Sequence, residues 1–452
     1  MGEFLNFSTA RSHLFEPLHG QLTRSPKLRY WKELEKTQFL NERQLLDIQW
    51  GRVKDLLAFA WENNEFYQNR MKILDLSPES IRCLDDIRKL PILTKEEVRT
   101  HTKNMLSRGY DMRDLQKAKT GGSTGKALDL FFTEECSELR NACARRHDCW
   151  TGWRPGEPIA ACWGNPKIPT SFKEILKANL LQPYIYLDTM HVDENSVRAF
   201  AASWLKIRPT LLYGHAHSIF LLSEFIRDLD IFLPAPKGIL STSMMLIPSE
   251  RKQIEEVFGL KVTDRYGCEE VSLIGSECEM HDGMHLNIEH LLIEFIREDG
   301  SPAEDGEQGR IIVTDLMNRA KPFIRYQVED FGIRSDRKCS CGRGLPLMEQ
   351  VVGRSADFLI KSDGSKVAGV SLIENTLTKI PGIAQMQIVQ ESLEEVVIKF
   401  VPEGEHKQET TDALMIYFQS LFGDSVVIRN EIVEMIEPEA SGKYRFSICR
   451  VN

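Results

Sequence analysis

The chain has 452 residues, a formal charge of −9 at pH 7 and 42% hydrophobic residues, enough length for about three domains or subdomains with large buried cores. Acids and bases are interspersed, which argues against a nucleic-acid partner and against a role at a membrane surface, because phosphate-bearing surfaces draw on clustered Lys and Arg. No apolar run approaches the roughly 20 residues that span a bilayer, the opening Met1-Gly2-Glu3-Phe4 lacks a basic region followed by an apolar one, and the 10 cysteines are mostly isolated. A soluble cytoplasmic protein in a reducing compartment is expected.

From Arg43 to Met71 apolar residues recur at helical spacing (Leu45, Leu46, Ile48, Val53, Leu56, Leu57, Phe59, Ala60) and predict one amphipathic helix. A second helix is expected to start at Ser77-Pro78 and a third at Thr94, where Glu97 completes a capping box. The run Thr120-Gly121-Gly122-Ser123-Thr124-Gly125-Lys126 then offers backbone N–H groups, hydroxyls and one cation, a set that can wrap a polyphosphate. It is not a Walker A loop, because Thr120 stands where glycine is needed and Ala127 follows the lysine. A Gly/Ser hairpin turn is the competing reading.

Glu134 to Trp150 reads as a helix, and strand-like pieces at Ile159–Trp163, Thr210–Tyr213 and Gly238–Thr242 alternate with helix-like text. This alternation predicts an α/β domain with a largely parallel sheet and ligands at the strands' carboxyl ends. Val262 to Glu270 is a strand running into a Tyr266-Gly267 turn, where Glu270 is a candidate ligand for the Mg²⁺ of a nucleotide. A strand at Arg310–Leu316 and the stretch Ile324-Arg325-Tyr326 lead to Asp330, an acid able to accept both hydroxyls of a ribose. Either acid would otherwise be a solvated turn residue. Gly353-Arg354-Ser355-Ala356-Asp357 marks a boundary, after which strands near Met386–Val389 and Val396–Phe400 and a helix from Thr411 to Phe422 make a small α/β unit ending in Ser441-Gly442-Lys443.

In this order the motifs resemble the acyl-adenylate-forming superfamily, and within it the phenylacetate-CoA ligases and capsule-biosynthesis adenylating enzymes, over roughly residues 50 to 452. Leu57 to Tyr67 and Leu90-Pro91-Ile92-Leu93-Thr94-Lys95-Glu96 add to the likeness. The resemblance implies a large N-terminal adenylate-forming domain over 1–352, with mixed sheets and helices, that binds ATP and acid. It further implies a hinge at 353–357 and a small mobile α/β C-terminal domain over 358–452. It implies ATP-dependent activation of a small carboxylic acid, release of pyrophosphate and transfer of the acyl group to a thiol, coenzyme A first among acceptors. Thr120 to Lys126 with Tyr266 and Gly267 would hold ATP, Glu270 the Mg²⁺, Asp330 the ribose, with Arg354 near the nucleotide and Lys443 bridging carboxylate and α-phosphate. The chain departs from the family pattern at Glu269, Glu329 and Ala356. Transfer to an amine or a carrier protein, transfer of AMP to a hydroxyl, and a catalytically silent nucleotide-binding scaffold are the alternatives. A homodimer is compatible with the resemblance.

Cys278 and His281 lie close together, and Cys339 and Cys341 flank one serine about sixty residues later, a pairing that suits a closed tetrahedral Zn²⁺ site with His285 as an alternative fourth ligand. Four reduced, unligated side chains are the bland reading. The resemblance puts the acyl pocket around Tyr213, His215 and His217, a set that suits a polar or aromatic acid better than a long fatty chain.

Overall fold

The computed structural model describes residues 7–119, 128–163, 169–188, 192–354, 358–361, 366–368, 372, 376–377, 379–437, 445 and 447–451. The chain folds as an α/β protein with a larger N-terminal part of helices and sheets and a smaller, strand-rich C-terminal part.

Strands β1 (Gln116–Lys119) and β2 (Asp129–Phe132) form a hairpin on either side of the glycine loop. The main sheet uses β3 (Ile159–Trp163), β4 (Tyr184–Asp188), β5 (Leu211–His215), β6 (Gly238–Thr242), β7 (Val262–Cys268), β8 (Ser272–Glu277), β9 (Met284–Leu286), β10 (Leu291–Ile296), β11 (Gln308–Asp315), β12 (Tyr326–Ser335) and β13 (Leu347–Arg354). Its order is β10-β11-β12-β13-β9-β8-β7-β6-β5-β3-β4. From β4 to β7 neighbouring strands are parallel, linked by helices Phe172–Leu181, Glu194–Ile207, Ala216–Asp228 and Pro248–Phe258. Such crossovers follow from buried strands alternating with amphipathic helices. At β7 the sheet turns antiparallel, and the tight β7–β8 turn carries Glu270.

The helix expected over Arg43–Met71 is two helices, Glu42–Asn63 and Glu65–Ile73. Asn64 breaks it: its backbone is extended, its side chain caps Tyr67 and its amide donates to Met105 O at 2.8 Å. An N-cap amide inside an apolar stripe therefore ends one helix and starts the next. The helix expected at Ser77-Pro78 is only the 3₁₀ turn Pro78–Ser80, whereas Thr94 and Glu97 form their capping box at the head of Lys95–Thr100.

Helices Lys27–Thr37, Glu42–Asn63 and Glu134–Trp150 are tied to the loop before β10 by a buried ion pair. Arg146 Nη1 donates to Glu289 Oε1 at 2.5 Å and Nη2 donates to Asn287 Oδ1 at 2.7 Å. Thr37 Oγ1 donates to the same Glu289 oxygen at 3.0 Å, and Gln49 Nε2 donates to Leu291 O at 2.8 Å.

In the C-terminal part, β14 (Phe358–Ile360) pairs with β15 (Lys366–Ala368). Strands β16 (Ile383–Ser392), β17 (Glu395–Pro402), β18 (Val427–Ile432) and β19 (Ser447–Cys449) form a second sheet in the order β18-β17-β16-β19. Helix Gln408–Phe422 packs Leu414, Phe418 and Phe422 with Met386, Ile388, Ile398 and Phe400 in a separate core. Of the segment 353–357 expected as a boundary, Gly353 and Arg354 end β13 and 355–357 lie outside the described residues. Among the described residues no helix is long and apolar enough to cross a membrane.

Candidate functional site

Four of the residues expected around the nucleotide meet at the carboxyl end of β7. A Cβ on Gly267 would lie 2.6 Å from Ser272 O, so only glycine lets this hairpin close. The turn beyond it holds Glu270, 8% exposed, whose Oε1 accepts from Tyr326 Oη at 3.0 Å. Burial, and then the Glu270 charge, push the Tyr326 phenol far above its ordinary range, so it stays protonated and donates. Arg140, from helix Glu134–Trp150, donates to Glu270 O at 3.0 Å and to Asp315 Oδ2 at 2.9 Å, which fixes the turn from below. Tyr266 Oη donates to Asp330 Oδ2 at 2.6 Å. Asp330 is the cross-strand partner of Arg354 on β13, so the chain path alone brings these two distant residues together.

Lys95, which the sequence does not single out as a site residue, faces the same group: its Nζ is 4.0 Å from Glu270 Oε1 and 3.8 Å from Glu329 Oε2. Thr120, Gly121, Gly122, Ser123, Thr124, Gly125, Lys126 and Lys443 lie outside the described residues.

A second, aromatic group sits at the carboxyl ends of β3 and β5. Trp163 stacks on Tyr213 with centroids 5.3 Å apart and the planes 11° apart, and its ring is 4.0 Å from that of His215. The Arg265 guanidinium lies 5.3 Å from the Tyr213 centroid and bonds Asp148 Oδ1 at 2.9 Å. Burial raises the Tyr213 phenol although Arg265 pulls the other way. His217 belongs to the following helix instead, where Nδ1 meets Glu250 Oε1 at 2.9 Å and the ring stacks on Phe220. The structure therefore groups Trp163, not His217, with Tyr213 and His215.

The third group brings together the three cysteines expected from spacing and the alternative histidine, His285. Cys278, His285, Cys339 and Cys341 bring their ligand atoms within 4.8 Å of one another; His281 is not the imidazole among them. The turn after β8 holds His281 at φ +52° with Nδ1 3.4 Å from Glu277 Oε2, and β9 then carries His285 inward. Cys278 and Cys339 sulfurs are 3.6 Å apart and Cys341 Sγ is 3.3 Å from His285 Nε2. A tetrahedron with Zn–S near 2.3 Å and Zn–N near 2.0 Å has edges of about 3.8 and 3.5 Å, so the donors already stand close to that shape. His285 Nδ1 bonds Leu345 O at 3.2 Å, which leaves Nε2 for a metal. Burial lowers the His285 imidazole to about 4 and keeps it neutral. Backbone N–H groups of Met280 and Arg343 donate to Cys278 and Cys341 sulfurs, each at 3.4 Å.

Residues 359–450 match the family model of the CapK C-terminal domain. Over 368 residues the chain is 25% identical to the phenylacetate-coenzyme A ligase of Thermus thermophilus, covering 78% of this chain and 79% of that protein. The Escherichia coli enzyme of the same name is 25% identical over 72% of this chain and 74% of its own. A crystal structure of 2-hydroxyisobutyryl-CoA ligase in the postadenylation state, in complex with R3-HIB-AMP, shares the fold with a TM-score of 0.73 and 18% identity, covering 92% of this chain and 91% of that one.

Proposed function

Because the chain belongs to the acyl-adenylate-forming superfamily, we propose that it activates a carboxylic acid with ATP and passes the acyl group to the thiol of coenzyme A. The observation that carries this reading is the convergence of Tyr266, Glu270, Tyr326 and Asp330 at one sheet end. Oriented by Tyr266, Asp330 accepts from the ribose hydroxyls. A buried carboxylate fixed by Tyr326 suits Mg²⁺, which takes one or two protein carboxylates besides phosphate oxygens, so Glu270 would hold that ion. When bound, Mg²⁺ offsets the charge of the phosphates.

The acid's carboxylate oxygen attacks the α-phosphorus, the bond to the β-phosphate oxygen breaks and pyrophosphate leaves. The thiolate of coenzyme A then attacks the acyl carbon and AMP leaves. We assign residues 1–352 to the body that binds ATP and acid, 353–357 to a hinge, and 358–452 to the small domain that delivers Lys443 against the growing negative charge. The Trp163–Tyr213–His215 group supports an aryl or small polar acid. In a panel of such acids with ATP and Mg²⁺, coenzyme A is expected to accelerate pyrophosphate release and to yield an acyl-CoA of the corresponding mass. Release indifferent to coenzyme A would move the second half-reaction to another acceptor.

Cys278, His285, Cys339 and Cys341 support a structural Zn²⁺ that staples the turn after β8 to the β12–β13 connection. With four protein donors no position is left open for chemistry. Purified protein is expected to carry one equivalent of zinc, and Cys339→Ser to lower both zinc content and melting temperature. Zinc-free protein of unchanged stability would remove the assignment.

A further inference from the structure

We propose that Lys95 is the resident counter-cation of Glu270 and Glu329, keeping bare divalent cations out of the site so that metal enters together with the nucleotide. The inference rests on the reading of Glu270 as the metal-binding acid.

Lys95 is 8% exposed, a depth at which an ammonium needs compensating charge. It has that charge without being fastened to it. The 3.8 and 4.0 Å separations are ion-pair distances longer than a hydrogen bond, and among the described residues no hydrogen bond holds Nζ. The backbone around it, in contrast, is fixed. Leu93 N–H donates to Arg325 O at 2.8 Å and Gln327 N–H donates to Leu93 O at 3.0 Å, so the segment before Lys95 lies against the start of β12. Arg325 reinforces this by donating from Nη1 to Arg88 O at 3.0 Å, while Nη2 pairs with Glu294 at 2.9 Å.

Glu329 approaches from the other side at φ +66°, a left-handed conformation that side-chain-bearing residues adopt uncommonly. Its placement is therefore imposed by the surrounding strand. A backbone held by these bonds thus presents the ammonium to two carboxylates, one of them bonded by Tyr326.

The ammonium and a divalent cation compete for the same negative potential. With both present and no phosphate, their mutual repulsion at a few ångströms weakens metal binding by about tenfold or more, even at a surface-like effective dielectric. Polyphosphate reverses the balance: it neutralises the metal and offers the ammonium acceptors of its own. Lys95 is thus a positioning residue acting through Glu270.

The test is binding of Mn²⁺ alone to the full chain, followed by the paramagnetic resonance signal of the free ion, without nucleotide, acid or coenzyme A. Lys95→Met is expected to bind Mn²⁺ about tenfold more tightly than the parent protein or better, Lys95→Arg to keep the weak parental affinity, and Glu270→Gln to abolish the gain in the Lys95→Met background. Lys95→Gln replaces the methionine variant should that one not fold. Equal affinity of the parent and the neutral variants overturns the proposal, as does an equal gain in Lys95→Arg. Failure of the ligase reading would appear elsewhere, as absence of acid-dependent pyrophosphate release with every acid tried.

Discussion

Lys443→Ala is expected to slow acid-dependent pyrophosphate release by on the order of 10²–10³ while leaving ATP affinity within about twofold. Adenylation brings a carboxylate against a phosphate, one anion against another, so the transition state gains most from a cation placed where negative charge accumulates. On the proposed reading ATP in the ground state would be held by other groups, Asp330 and Glu270 among them, and would lose little when this lysine goes. The effect therefore falls on kcat rather than on nucleotide binding. An Arg at the same place keeps the charge but not the reach of the ammonium and is expected to recover only part of the rate. Pyrophosphate release at the parental rate in Lys443→Ala would take Lys443 out of the mechanism.

The largest expected effect on stability is at Arg146. This guanidinium and Glu289 are 0% and 1% exposed; they bond each other, and Asn287 and Thr37 add one hydrogen bond to each side of the pair. Arg146→Met would leave the Glu289 carboxylate buried and uncompensated, a change that destabilises by about 3–5 kcal/mol. Arg146→Met combined with Glu289→Leu, which removes both charges, is expected to be less destabilising than Arg146→Met alone. Urea unfolding checks both.

The same pair gives a pH dependence with a definite sign. Burial alone would raise the Glu289 carboxyl, but the Arg146 charge and hydrogen bonds more than offset it and hold the group below its ordinary 4.5. A carboxyl depressed in the folded state contributes stability that is present above the unfolded value and lost as pH falls through the folded one. The parent protein is thus expected to lose this contribution below about pH 4.5. In Arg146→Met the depression is gone, so acid costs that variant less than it costs the parent.

Much of the frame was legible because local signals agreed with the fold. The helix Glu134–Trp150 and the buried strands Ile159–Trp163 and Gly238–Thr242 sit where the sequence pattern puts them, and Thr133 caps the helix. Where the reading strayed, tertiary contacts decided. Asn64 looked like one polar residue in an amphipathic stripe, yet its side chain reaches Met105 O and splits the helix. After Ser77-Pro78 the apolar residues Ile81, Leu84, Ile87 and Leu90 recur every third residue, the period of the 3₁₀ helix Leu84–Lys89 rather than of an α-helix.

The candidate site shows the same division. Spacing picked out the three cysteines of the candidate metal cluster and left His281 and His285 as alternatives; the fold, which turns at Gly283 with φ +91° ahead of β9, places His285 beside the sulfurs. Lys95 sits at a helix start, and the bridge between Leu93 and Tyr326 on β12 sets the segment before it against the main sheet. Trp163 is only a strand end in the sequence, and its stacking on Tyr213 follows from the parallel pairing of β3 with β5. Pairings between distant segments leave no local mark in the text.

On the proposed reading this chain makes an acyl-adenylate reversibly from ATP and an acid. The most direct measurement is acid-dependent exchange of labelled pyrophosphate into ATP by the purified protein with Mg²⁺ and no coenzyme A. Exchange is expected with at least one aryl or small polar acid, none without acid, and its loss in Lys443→Ala. Cleavage of ATP to ADP and phosphate, or no exchange with any acid, would contradict that reading.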